Sequence, residues 1–367
     1  MILGIIYLSL LVLGVFFPKS KAISCLAIVF SFVVFSFVDF QGDIQVYTDN
    51  YNTLASSTLL HHYEPLFALL MVIVRTLGLP FTAVRVVVAV LYLSVEYQTV
   101  KKMTEYHAIA IILLMIFPMI FFASVMRSCT ATAFVLLGMQ TLIRQTRNSR
   151  LHYAVWICLA GLCHYSSFFF ILYLFVDLNK EIDYTRFFWF FIVSMVIAVL
   201  LNTDVLYRLV SRFISRGKTL EWFEKGNQQN LTGIMVAVLM YGATAYLSLK
   251  ACNICHSQEA CFLLKKEQIT GSMYTYNISM IMFLCLPLFV FAPPFQRLAY
   301  MMMPLCFCSW MNAVKVLREN WTRPHTLPLY GVASMLSIFV WRIYIDLPYI
   351  KDGAIPFAEL ISTKFVF

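Results

Sequence analysis

Apolar runs of 14 to 26 residues, against the 20 or so that a membrane-crossing helix needs, alternate along this chain with polar turns. Met1–Phe17 lacks a basic leader or a small-residue cleavage site, so it reads as a retained helix. Ala22–Val38, Pro65–Gly78, Phe81–Tyr97, His107–Val125 and Cys129–Ile143 follow. Leu151–Val176 is one long run interrupted near His164; Phe187–Leu201, Thr232–Leu249, Ile269–Ala292, Leu298–Leu317 and Leu327–Ile345 complete the pattern. The apolar stretches predict an all-α chain, a polytopic membrane helical bundle of about 10–12 transmembrane helices. At that span count residues 1–367 form a single integral membrane domain.

The polar turns set the orientation. Lys19 and Lys21, Lys101 and Lys102, the Arg144/Arg147/Arg150 turn, and Lys315, Arg318 and Arg323 belong inside by the positive-inside rule. Asp39–Glu64 holds four acids, three tyrosines and two histidines with no Lys or Arg, and reads as an outer loop; Asp204–Leu231, the longest polar connection, reads as a second. Parity then demands irregular crossings. An outward 39–64 loop and an inward Lys101/Lys102 turn need an odd number of crossings, yet two runs lie between them. The stretch from Arg150 to Asp204 raises the same problem. Breaks at Gly78-Leu79-Pro80 and around Gly161–His164, the second bending partway back, would satisfy both. Broken or re-entrant helices are tolerated at membrane depth where they line protein or a polar cavity, so the breaks point toward a site.

Composition agrees: 61% of the 367 residues are hydrophobic and 12% charged, with a mean hydropathy of +0.80. A net charge of +9 suits membrane orientation and anionic lipid partners. No nucleic-acid motif is present. Most cysteines fall in apolar runs, where Cys acts as a small hydrophobe. Cys252-x2-Cys255-His256-x4-Cys261 has zinc-like spacing but no second ligand pair, and reads as reduced cytoplasmic thiols. There is no Asp-x-Asp pair, so no metal and no cofactor are expected.

Several polar residues carry candidate chemistry. Asp43, Tyr47 and Tyr51 recur at four-residue spacing, which on a helix puts a carboxylate and two phenols on one face. Such a face suits a sugar, or an interfacial aromatic belt. Glu64 precedes Pro65 at a helix start, where it can cap the helix or act in catalysis. Arg127 stands between two apolar runs and His164 lies inside one; each is a functional-site hypothesis because charge or a titratable ring at membrane depth is costly. Arg208, Arg212 and Arg216 share a face at four-residue spacing, suited to phosphate or to anionic headgroups. Arg297 marks another outer helix start. Outward arginines match the oxygens of pyrophosphate, or snorkel at helix ends.

In order and spacing these motifs resemble the EpsG-like group of Wzy-type polysaccharide polymerases. The resemblance rests on Asp43-x3-Tyr47-x3-Tyr51, Glu64-Pro65, Arg127-x3-Ala131 before an Arg-rich turn, His164-x-Ser166, and Gln296-Arg297-Leu298-Ala299, and runs to Leu347-Pro348-Tyr349. The chain departs from the group at Ser124, at Ser128-Cys129 and at Gln296. The resemblance implies a GT-C-like architecture in the bacterial inner membrane. It implies a glycosyltransferase that joins undecaprenyl-pyrophosphate-linked repeat units on the outer face into O-antigen or capsular polysaccharide. On that reading His164, Arg127 and Glu64 are catalytic, and Arg297, Asp43, Tyr47, Tyr51, Arg208 and Arg212 bind substrate. Expected partners are lipid-linked glycans, membrane lipids and a chain-length regulator. A lipid-linked oligosaccharide flippase and a membrane acyltransferase remain open. The flippase would show matched halves, and no pseudo-repeat is visible.

Overall fold

A computed structural model describes residues 2–38, 43–175, 231–284 and 296–319, with a few positions between 177 and 192. Every regular element among the described residues is helical. α1 (Ile2–Phe16) and α2 (Lys21–Phe37) meet at a tight turn, where the Ser20 hydroxyl accepts the Ile23 N–H and caps α2. The predicted outer loop holds two short helices, α3 (Asp43–Thr53) and α4 (Ser56–His62). α5 (Pro65–Thr76) and α6 (Phe81–Met103) follow, divided at Gly78, whose φ of +70° suits glycine.

The run from His107 to Val125 is not one helix. α7 (His107–Leu114) passes through a wide turn at Met115–Met119 into α8 (Ile120–Ser124). Phe117 is extended there (φ −163°, ψ 135°), because Pro118 disfavours helix in the residue before it. α9 (Met126–Arg144) ends at Gln145 in a left-handed cap and turns back into α10 (Ser149–Cys163). These two pack closely: a Cβ on Gly138 would lie 3.0 Å from the Tyr153 ring. At His164 the chain becomes extended and then enters a 3₁₀ segment, Tyr165–Leu174. α11 (Leu231–Cys255), α12 (Ala260–Leu263), α13 (Lys266–Leu284) and α14 (Gln296–Glu319) complete the described elements.

The 3₁₀ segment doubles back on α10. Tyr153 donates to the Phe170 carbonyl (2.7 Å) across 17 residues, which a chain running straight on could not reach. Phe168 lies so near Gly161 that a Cβ there would meet its ring at 2.5 Å. The Ser167 hydroxyl then reaches the Met301 sulfur of α14 (3.7 Å), bringing the His164 break toward that helix.

Two polar ends result. At one, Glu105 bridges Lys315 (2.9 Å) and Lys19 (3.9 Å), Lys19 also meets Glu319 (3.7 Å), and Asn312 donates to the Met103 carbonyl (2.8 Å). The turns at Lys19, at residues 103–105 and at residues 315–319 thus share one end; Arg323 lies outside the described residues. Arg127 and Arg297 stand in the first turns of α9 and α14, while Arg144 and Lys315 stand near the last turns of the same helices. At 1.5 Å per residue each separation is about 25 Å. Between the ends the core is mostly apolar, with Tyr92, Phe122 and Trp310 fully buried, but it also encloses Glu96, which accepts from the Tyr92 hydroxyl (2.6 Å).

Among the described residues one helix, α6, is by itself long and apolar enough to cross a bilayer. Shorter apolar helices include α1, α2 and α5. Their outward faces are also apolar: Ile5, Leu8 and Val12 on α1, Leu26 and Val29 on α2, and Leu69 and Ile73 on α5 are exposed.

Candidate active site

Four elements meet opposite the lysine-rich end. α3 supplies Asp43 and Tyr47, the turn before α5 supplies Glu64, the first turn of α9 supplies Arg127, and the break after α10 supplies His164. Glu64 holds the group together. Its Oε2 accepts from Arg127 Nη1 (2.8 Å), and its Oε1 lies 3.1 Å from His164 Nδ1. The carboxylate is 5% exposed. An ionised carboxylate only accepts, so the imidazole hydrogen sits on Nδ1 and Nε2 carries the lone pair. Nε2 is buried and has no hydrogen-bond partner among the described residues. The arrangement therefore leaves a buried, oriented base atom beside a fixed guanidinium.

Glu64 stands at the start of α5 with Pro65 in the first turn, as the Glu-Pro pair predicts, but its side chain makes no capping bond. The carboxylate turns instead to Arg127 and His164. Burial alone would push its carboxyl up; the hydrogen bonds from His164 and Arg127 and the charge of Arg127 outweigh that and hold it at about 2.

Arg127 is fixed on three sides. Its Nε donates to the Tyr47 hydroxyl (3.1 Å), and its guanidinium lies 5.6 Å from the centres of both the Tyr47 and Tyr63 rings. Tyr63 in turn accepts from Asn50 Nδ2 (2.6 Å). Tyr63 and Asn50 join the site although the motif reading passed over them as binding groups. The spacing from Tyr47 to Asn50, one helical turn in a segment that also carries Asp43, was the available signal.

The two motif tyrosines part company. Tyr47 is 2% exposed and its ring packs against Tyr63 and Phe67. Tyr51, equally buried, donates to the Leu79 carbonyl (2.7 Å) and faces Arg75, away from Glu64. Among the described residues both rings are covered by protein, Tyr47 by Tyr63 and Phe67 and Tyr51 by Phe81 and Arg75. Arg297 reaches the site from α14: its Nη2 donates to Asp43 Oδ2 (3.0 Å), and its guanidinium lies 5.9 Å from the Phe121 ring centre. Arg208 and Arg212 lie outside the described residues.

Elsewhere, Cys252 in the last turn of α11 lies 3.6 Å from His256 just beyond its end, and His256 Nδ1 also lies 2.8 Å from the Cys252 carbonyl. No group of three His, Cys, Asp or Glu among the described residues is arranged to hold a metal.

The sequence model of the EpsG family matches residues 21–358. No curated protein and no solved structure matches the chain.

Proposed function

The chain belongs to the EpsG family, a group of glycosyltransferase-like membrane proteins of polysaccharide polymerisation, and on that premise we propose that it joins lipid-linked oligosaccharide repeats. The specific reading is a Wzy-type polymerase of the bacterial inner membrane, acting on undecaprenyl-pyrophosphate-linked repeat units at the outer face. The observation that carries it is the Glu64–His164 pair, whose buried Nε2 has no partner among the described residues.

The chemistry follows from those atoms. His164 Nε2 takes the proton of the acceptor sugar hydroxyl as its oxygen bonds to the anomeric carbon of the growing chain. Glu64 stabilises the imidazolium that forms, and Arg127 keeps the carboxylate in place. The bond from the anomeric carbon to the pyrophosphate oxygen breaks, and its electron pair leaves on the diphosphate. Arg297 offsets that charge. Polar clusters about 25 Å apart along α9 and α14, with apolar outward faces between, support placing the site at one face of a bilayer.

The test is surface polysaccharide from cells lacking the gene, complemented at matched membrane level with wild type, Arg127→Ala or His164→Ala. A ladder that collapses to core plus one repeat, restored by wild type and not by either variant, supports polymerisation. Loss of His164 should lower the rate about 100- to 10,000-fold. An unchanged ladder in the deletion removes the polymerase. Absence of any outward-facing repeat points to a flippase, and full-length polymer lacking acyl groups to an acyltransferase.

A further inference from the structure

Resting on the polymerase reading, we propose that Asp43 is a built-in stand-in for the donor's diphosphate: it holds Arg297 at rest and yields it when a lipid diphosphate enters. The two ion pairs of the site are built differently. Arg127 is tied by hydrogen bonds to Glu64 and Tyr47 and flanked by two rings, and its carboxylate partner is 5% exposed. The Arg297–Asp43 pair has one hydrogen bond, through Nη2, and the Asp43 side chain is 39% exposed. A partly exposed pair with a single bond is weak and exchangeable. A buried carboxylate shared by an arginine and a histidine is not.

Arg297 keeps its place when Asp43 leaves. Its guanidinium lies beside Phe121, and Phe121 packs edge-on against Tyr300 (5.3 Å), one turn along the same helix as Arg297. A diphosphate carries more charge than one carboxylate and offers paired oxygens to the planar fork, so it outcompetes Asp43. A monophosphate offers less of both. The exchange therefore selects lipid diphosphate over lipid monophosphate and spares Arg297 from standing unpaired between turnovers.

The movement is confined to one turn. Asp43 opens α3, while Ile44, Tyr47 and Tyr51 anchor the rest of that helix in the core. Losing the Arg297 contact loosens the first turn and leaves Tyr47 on Arg127. The base assembly stays intact as the donor binds.

Full-length protein in nanodiscs of zwitterionic phospholipid, titrated with inorganic pyrophosphate, tests the exchange. Asp43→Asn should tighten binding about two- to fivefold, the reach of a partly exposed pair. Arg297→Ala should weaken it by at least about tenfold, and adding Asp43→Asn to Arg297→Ala should change nothing further. In unmodified protein, pyrophosphate should speed hydrogen exchange more than phosphate does at the Tyr47 amide, whose helical acceptor is the Asp43 carbonyl of the first turn of α3. Unchanged or weaker binding by Asp43→Asn, with wild-type binding intact, overturns the exchange and leaves the polymerase standing. Unaltered exchange in α3 overturns it equally. Competition by phosphatidylglycerol-doped discs as strong as by pyrophosphate makes Arg297 a headgroup anchor instead. A wild-type protein that binds no pyrophosphate removes the exchange and the polymerase reading together.

Discussion

Glu64 uses its two oxygens for two different jobs, one fixing a cation and the other aiming a base. Its sequence context, a Glu-Pro at the start of an apolar run, suggests a helix cap just as readily; only the side chain's partners separate the two. The depressed carboxyl gives a pH signature. A folded-state value of about 2 against an ordinary 4.5 means the pair's stabilisation is complete above pH 4.5. It is lost as pH falls toward 2. The difference is on the order of 3 kcal/mol. Melting of detergent-solubilised protein should show that decline in wild type and not in Glu64→Gln, which should already melt lower at pH 7. Parallel pH profiles for the two proteins would show that Glu64 is not the group responsible.

Helix breaks, at the next scale, are what deliver these residues. The interruption at His164 is visible in the sequence as a polar ring within an apolar run, and Gly161 is its companion. The structure adds that the 3₁₀ segment folds back with Phe168 over Gly161. Gly161→Ala puts a methyl group into that ring, and overpacking of this kind costs about 1–3 kcal/mol. A lowered melting temperature with weakened polymerisation is the expected result. Wild-type stability and activity would show that the fold-back does not depend on the contact. The break at Phe117 was equally signalled, by Pro118, yet apolar periodicity alone ran through it. The three-residue spacing between Tyr47 and Asn50 likewise marks a face but not its neighbour, so Asn50's bond to Tyr63 could not be foreseen.

Over the whole molecule, the lysine-rich end and the Glu64 end lie apart along α6, α9 and α14. If these ends face opposite sides of a bilayer, single cysteines at exposed Asp49 and exposed Lys101, in a cysteine-free background, should label differently. Asp49→Cys should react with an impermeant maleimide in intact spheroplasts, and Lys101→Cys only after permeabilisation. Labelling of both from one side would sink the two-sided arrangement. Much of this architecture is local information. Apolar run length and four-residue spacing depend on neighbours in the chain, so the sequence by itself determined a helical protein, the helix that carries Asp43, Tyr47 and Tyr51, and the break at His164. The site is a different kind of fact. Glu64 meets Arg127 63 residues away and His164 100 residues away, and Arg297 meets Asp43 across 254. No periodicity reaches over such distances; packing of α3, α5, α9, the α10 break and α14 alone decided which acid holds which base.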